Sequence, residues 1–266
     1  MRLSICVTVV VVCCLVPTSG SADEPTGRAI MERVDARDDG DHRVADMEMV
    51  LIDRRGNERR REIRSFTKDR GKDTLQVMFF LHPPDVEGTG FLLHDSGEAG
   101  REDDQWLYLP ALDSTKRIAA SGKSGSFMGS DFNYSDLERR DLEDYDFSLV
   151  KEAEVRGEPV WVVEAVPRTP EVVDETGYEK SLLLVRKDND VVVRAVRWVK
   201  GGEDLRYLDV TRLEQIDGIW VPTEMHMTTK RNGEVRHSTV LRLSNVRFDQ
   251  NLGDALFTVH RLEAGL

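Results

Sequence analysis

The sequence predicts a mainly β protein: a meandering antiparallel sheet of about eleven strands that must curl, one N-terminal helix, and a loop that covers what the helix cannot. Three observations carry that expectation. From His42 onward, apolar and polar residues alternate with a period of two, as in strands with one buried face. The alternating runs are divided by turn signals, among them Asp217-Gly218 and Asn232-Gly233, which favour tight hairpins. Between the two halves, residues 119–129 set glycines and serines around Phe127 and Met128, a mobile composition carrying bulky apolar side chains.

The chain opens with Arg2, an apolar run from Leu3 to Val16, then Pro17 and small residues up to Ala22. That layout predicts a cleaved secretory signal peptide over residues 1–22, since the run is too short to span a bilayer. Cys13 and Cys14 lie inside the apolar run behind valines, which argues against a lipid anchor there. All three cysteines (Cys6, Cys13 and Cys14) fall in the leader, so the expected mature chain, residues 23–266, has no disulfide, thiolate metal site or cysteine nucleophile. The formal charge of −12 becomes −13 when Arg2 leaves with the leader. A chain so acidic is a poor candidate for nucleic acid or for an anionic membrane surface.

The mature chain begins with Thr26–Arg37, where Ala29, Ile30 and Val34 have helical spacing behind a Thr26 N-cap and before the acidic stop at residues 38–41. Strand patterns follow. Val44–Asp53 turns at Arg55-Gly56-Asn57 into Glu58–Lys68; Gly71 leads to the almost wholly apolar Thr74–Leu81; and Gly88-Thr89-Gly90 launches Phe91–Asp95. Gln105–Leu109 puts Trp106 and Tyr108 on one face and Leu107 and Leu109 on the other. Pro110 ends it, and Thr115–Ile118 offers a short return. After the loop and a charged stretch, Leu137–Tyr145, seven further runs alternate: Phe147–Val155, Pro159–Pro167, Tyr178–Lys187, Val191–Lys200, Leu205–Gln215, Ile219–Thr229 and Glu234–Val246.

One helix cannot cover the apolar face of so wide a sheet. The sheet must close on itself, trap loops inside, or hold a ligand, and the long central loop is the natural second cover. Met47, Met49, Met225 and Met227 lie on one face of two strands, either as ordinary core or as an adaptable lining for apolar ligands.

Motifs for chemistry fail on inspection. Gly122-Lys123-Ser124 resembles the end of a phosphate-binding loop, but Arg117 stands where the first glycine belongs and no helix pattern follows. Gly125-Ser126-Phe127-Met128-Gly129 has its serine one place early for a nucleophile elbow. The six histidines show no metal-ligand spacing, and His226 and His237 are expected as a cross-strand surface pair. Acidic pairs such as Asp103-Asp104 are expected by chance among 49 acids, and Arg59-Arg60-Arg61 reads as a solvated strand face. No metal, cofactor or catalytic residue is expected.

At Trp106-Leu107-Tyr108-Leu109-Pro110-Ala111-Leu112, Arg117-Ile118 and Phe127-Met128-Gly129-Ser130-Asp131-Phe132 the chain resembles the periplasmic outer-membrane lipoprotein-sorting proteins. This is a branch of the lipoprotein-carrier, LolA-like superfamily often associated with RND/MMPL-type exporters. A looser match runs upstream through Phe80-Leu81-His82-Pro83-Pro84 and downstream to Leu256-Phe257-Thr258, covering nearly the whole mature chain. The resemblance implies a half-open β-barrel with helices and a loop as a lid over an apolar cavity. It implies a non-enzymatic periplasmic carrier or chaperone for a lipid, acyl chain or lipoprotein, with Phe91, Trp106, Tyr108, Phe127, Met128 and Phe132 lining the cavity or its lid. The alternative is an accessory or sensor module that partners an inner-membrane exporter.

Overall fold

The computed structural model describes residues 24–98 and 101–266; the expected leader lies outside them. Every strand run read from the sequence forms a strand, so the sheet has thirteen strands where about eleven were expected. The first meander comprises β1 (Arg43–Asp53), β2 (Glu58–Arg70), β3 (Asp73–His82), β4 (Gly90–Asp95), β5 (Asp104–Leu109) and β6 (Ser114–Ile118). The second comprises β7 (Tyr145–Val155), β8 (Glu158–Pro167), β9 (Tyr178–Arg186), β10 (Val192–Val199), β11 (Asp204–Ile216), β12 (Ile219–Arg231) and β13 (Glu234–Arg247).

All neighbours are antiparallel, in the order β6-β5-β4-β3-β2-β1-β13-β12-β11-β10-β9-β8-β7. The two meanders therefore join through the first and last strands, with Met49 opposite Leu241 and Asp53 opposite His237. The sheet stays open, with β6 and β7 as its edges. Because those edges are consecutive in the chain, residues 119–144 must travel from one side of the sheet to the other. That crossing segment places the site.

Alternation gives the sheet two apolar faces. On the inner face, Met49, Ile63, Met78, Phe80, Phe91, Leu107, Met227 and Leu241 form one cluster, completed by Phe127 and Phe132 of the crossing segment. The other half of this face is covered by α1 (Gly27–Asp35), whose Ile30 and Met31 pack with Val163, Leu183, Val185 and Ala195. Thr26 caps α1 by accepting from Ala29 N–H at 3.1 Å. A side chain at Gly27 would stand 2.7 Å from the Ser148 backbone, so glycine permits the close approach of helix to β7.

The outer face carries Leu75, Val77, Phe79 and Leu92, which the sequence reading left uncovered. Phe257 and Leu262 seal it, the latter from α3 (Val259–Ala264). A third helix, α2 (Pro170–Thr176), links β8 to β9, capped by Thr169 and ended by Gly177 at φ 77°. Both extra helices are a turn or two long, too short to show an amphipathic period. No helix of the described residues is long and apolar enough to cross a membrane.

Candidate functional site beneath the crossing segment

The crossing segment descends onto the inner face as a narrow hairpin. Ser126 and Asn133 form an isolated antiparallel bridge, and Phe127 N–H donates to the Phe132 carbonyl at 2.7 Å. Its tip turns through two left-handed residues, Met128 at φ 51° and Gly129 at φ 73°. Only glycine adopts that conformation freely, so Met128 is held there by its surroundings. Arg61 of β2 donates to the Met128 carbonyl.

The turn drives Phe127 into the sheet. The ring is 1% exposed and lies 5.2 Å from the Phe91 centroid, 5.5 Å from Tyr134 and 6.3 Å from Phe80. Edge-to-face contacts of this kind add to the area that each ring buries. The apolar floor of β1–β5, β12 and β13 is thus filled by a loop side chain.

Polar clamps hold the segment at three places. Asp131 is 4% exposed and accepts from the hydroxyls of Thr229 at 2.6 Å and Thr239 at 2.7 Å. His237 Nδ1 lies 2.7 Å from the same carboxylate, and Asp131 N–H donates back to Thr239 Oγ1 at 3.0 Å. This knot fixes the tip to the β12–β13 hairpin. Further along, Asp136 pairs with Arg197 of β10 and accepts from Tyr178 Oη at 2.8 Å, while Arg206 of β11 donates to Asn133 Oδ1 at 2.6 Å.

At the third place Lys123 bonds Glu138 at 2.8 Å and Glu175 of α2 at 2.7 Å. Burial pushes the Glu138 carboxyl up to about 7, against the pull of the ammonium. Burial would lower Lys123, but the two carboxylates outweigh it and hold the ammonium above its ordinary value. Glu175 is the more exposed of the two carboxylates on Lys123. Next to this clamp, burial also raises Asp95, to about 6, although Arg139 N–H donates to it at 2.6 Å.

This geometry matches known proteins over most of the chain. A family model described as "uncharacterized protein" matches residues 72–264. The crystal structure of a DUF1329 family protein from Desulfovibrio piger is 32% identical, with a TM-score of 0.80, covering 89% of this chain and 97% of that one. The chain belongs to the DUF1329 family.

A second structure equally similar to this DUF1329 chain is a putative outer membrane lipoprotein-sorting protein domain from Vibrio parahaemolyticus. It is 32% identical, with a TM-score of 0.80, over 89% of this chain and 98% of that one. A LolA superfamily protein from Nitrosomonas europaea, 20% identical with a TM-score of 0.67, shares the fold over 90% of this chain and 100% of its own. No curated protein matches the chain. The resemblance drawn from the central motif is borne out, as is the mainly β antiparallel fold; what was expected as a half-open barrel of about eleven strands is an open sheet of thirteen among the described residues.

Within this DUF1329 chain, four of the six expected site residues come together. Phe91, Phe127 and Phe132 are buried in the inner-face cluster, and Met128 packs against it. Trp106 and Tyr108 do not join them. They pack on the outer face, where His94 meets Trp106 at 5.0 Å and bonds the Phe257 carbonyl. Their strand alternates as expected, but Leu107 and Leu109 are the residues turned inward.

The four methionines all reach the inner cluster, Met49 and Met227 buried and Met47 and Met225 packed against it. The expected His226–His237 pair does not form. Across the hairpin, His226 stands opposite Val240 and His237 opposite Thr229, and His237 turns to Asp131 instead. The clamp residues Asp131, Lys123, Asp136 and Glu138 were missed by sequence reasoning. Their one legible signal is the Gly122-Lys123-Ser124 run: a lysine among glycines and serines, rejected as a phosphate loop, that proves to be 2% exposed.

Proposed function

We propose that this protein is a periplasmic carrier or chaperone whose single domain, residues 23–266, follows a cleaved leader. It binds a lipid, an acyl chain or a lipoprotein between the crossing segment and the inner face of the sheet, without chemistry. The observation that carries this reading is the way Phe127 is held. An apolar floor of several strands is covered by a loop, with Phe127 at its centre and Phe132, Met128 and Tyr134 around it, and buried polar clamps tie that loop to the strands beside the floor.

In this reading the crossing segment is a lid, and Phe127 and Phe132 occupy the ground a ligand would take. An acyl chain entering there offsets the rings it displaces, at ~0.8 kcal/mol per buried methylene. The methionines around the floor suit ligands of varied shape. The relative named as a lipoprotein-sorting protein domain supports the same cargo class.

Native mass spectrometry of gently purified protein, with lipid extraction of the same sample, tests the proposal. An acyl-bearing species bound one to one is expected. Protein that carries none, and that fails to bind an added fluorescent fatty acid, would sink it.

A further inference from the structure

In an antiparallel sheet every second turn lies at the same end. Because β1 pairs with β13, the β1–β2 and β12–β13 turns stand side by side there, with Asp53 opposite His237. The crossing segment reaches the same end, where Arg61 holds the Met128 carbonyl. Residues 53–61 and 230–237 carry eight arginines and lysines against three acids, a net of +5 in a chain whose net charge is −12.

Some of this charge is spoken for. Arg60 is shared between Glu48 and Glu58, Arg231 makes a two-pronged pair with Asp204, and Lys230 lies 4.8 Å from the Tyr207 ring centre. Arg54, Arg55, Arg59 and Arg236 are exposed and make no ion pair or side-chain hydrogen bond among the described residues. A solvated strand face interleaves its charges with opposite ones; Arg54 and Arg55 form the β1–β2 turn, Arg59 and Arg236 stand near the turn ends of β2 and β13, and none of the four has a carboxylate on it. The flanking turns carry Asp85, Glu87 and Glu203, which confines the basic area to the two central hairpins.

We propose that this end of the molecule docks on an anionic phospholipid surface. Guanidinium groups grip phosphate through paired N–H donors, and basic residues near an anionic leaflet add their attractions. Val235, next to Arg236 in β13, is 49% exposed among these basic residues. Basic and apolar side chains side by side suit the boundary between headgroups and acyl chains. An acidic polypeptide would satisfy the charge but leave the exposed Val235 side chain without a role.

The acidity of the whole chain does not oppose the docking. At physiological salt, charges more than about 8 Å apart are largely screened, so the surface feels the nearest turns rather than the total. The proposal rests on charge and position and does not require the cargo reading.

The test is flotation of the purified mature chain, without added ligand, on phosphatidylcholine vesicles with and without phosphatidylglycerol. Binding is expected only with phosphatidylglycerol, and is expected to fall as salt rises from about 50 mM to about 500 mM. The triple variant R54S/R55S/R59S is expected to lose about tenfold or more in binding. The control K151S/R212S/R247S removes the same charge elsewhere and is expected to retain it. Equal loss in both variants, or no binding by the unaltered chain at low salt, overturns the proposal. Binding to poly-glutamate but not to the anionic vesicles also overturns it, in favour of an acidic polypeptide partner.

Discussion

The substitution Phe127→Ala removes the ring that fills the inner face. That ring is 1% exposed and touches three other rings at 5.2 to 6.3 Å. Deleting a phenylalanine so buried costs about 3 kcal/mol, near the lower end for Phe→Ala because a loop can settle into part of the space. If the crossing segment is a lid, that cost falls on its closed state. An apolar probe that binds only when the ring is out then gains the same free energy, on the order of 100-fold in Kd. The assay pairs urea unfolding, followed by tryptophan fluorescence, with titration of a fluorescent fatty acid on the same preparations. A loss of stability matched by a gain in affinity is expected. If Phe127 were a structural plug, the loss would come without the gain, and stability lost at unchanged or weaker affinity refutes the lid.

Two further outcomes follow from the clamps. Asp131→Ala leaves the Thr229 and Thr239 hydroxyls and His237 without their shared acceptor, so a loss of about 2–4 kcal/mol is expected. Limited proteolysis should then cut first within residues 119–137. The Glu138 clamp makes stability depend on pH. Its folded pKa, about 7, lies above its ordinary 4.5, so its contribution is complete below 4.5 and is lost as pH rises through 7, on the order of 3 kcal/mol. Asp95, raised to about 6, acts in the same direction over a lower window. Glu224, held down to about 2 by hydrogen bonds from Thr211 and Arg242, acts oppositely and loses its contribution as pH falls below 4.5. Stability should therefore peak near pH 5, and Glu138→Gln should flatten the fall between pH 5 and 7.5; an unchanged slope would remove Glu138 as its source.

Much of the sheet was legible because its signals are local. Period-two runs and the Asp217-Gly218 and Asn232-Gly233 turns depend on residues a few places apart, and each marked a real hairpin. The pairing of β1 with β13 joins residues nearly two hundred positions apart, and no local pattern records it. The faces of β5 were separable but not assignable. Both sides of Gln105–Leu109 are apolar, and which one looks inward depends on the short C-terminal helix that covers the other. The Phe127 ring stood out by its contrast with the glycines and serines around it. Asp131 had no such contrast, since one acid among 49 becomes a clamp only through Thr229, His237 and Thr239, about a hundred residues away.

A fatty acid bearing a photoreactive diazirine, irradiated with the protein and located by peptide mass spectrometry, tests the central claim most directly. The account predicts adducts on the inner face, at Met78, Phe80, Phe91 or Met227, and on the segment 127–132 that covers it. Adducts confined to the outer face around Trp106, Tyr108 and Phe257, or labelling no greater than that of the unfolded chain, would contradict it.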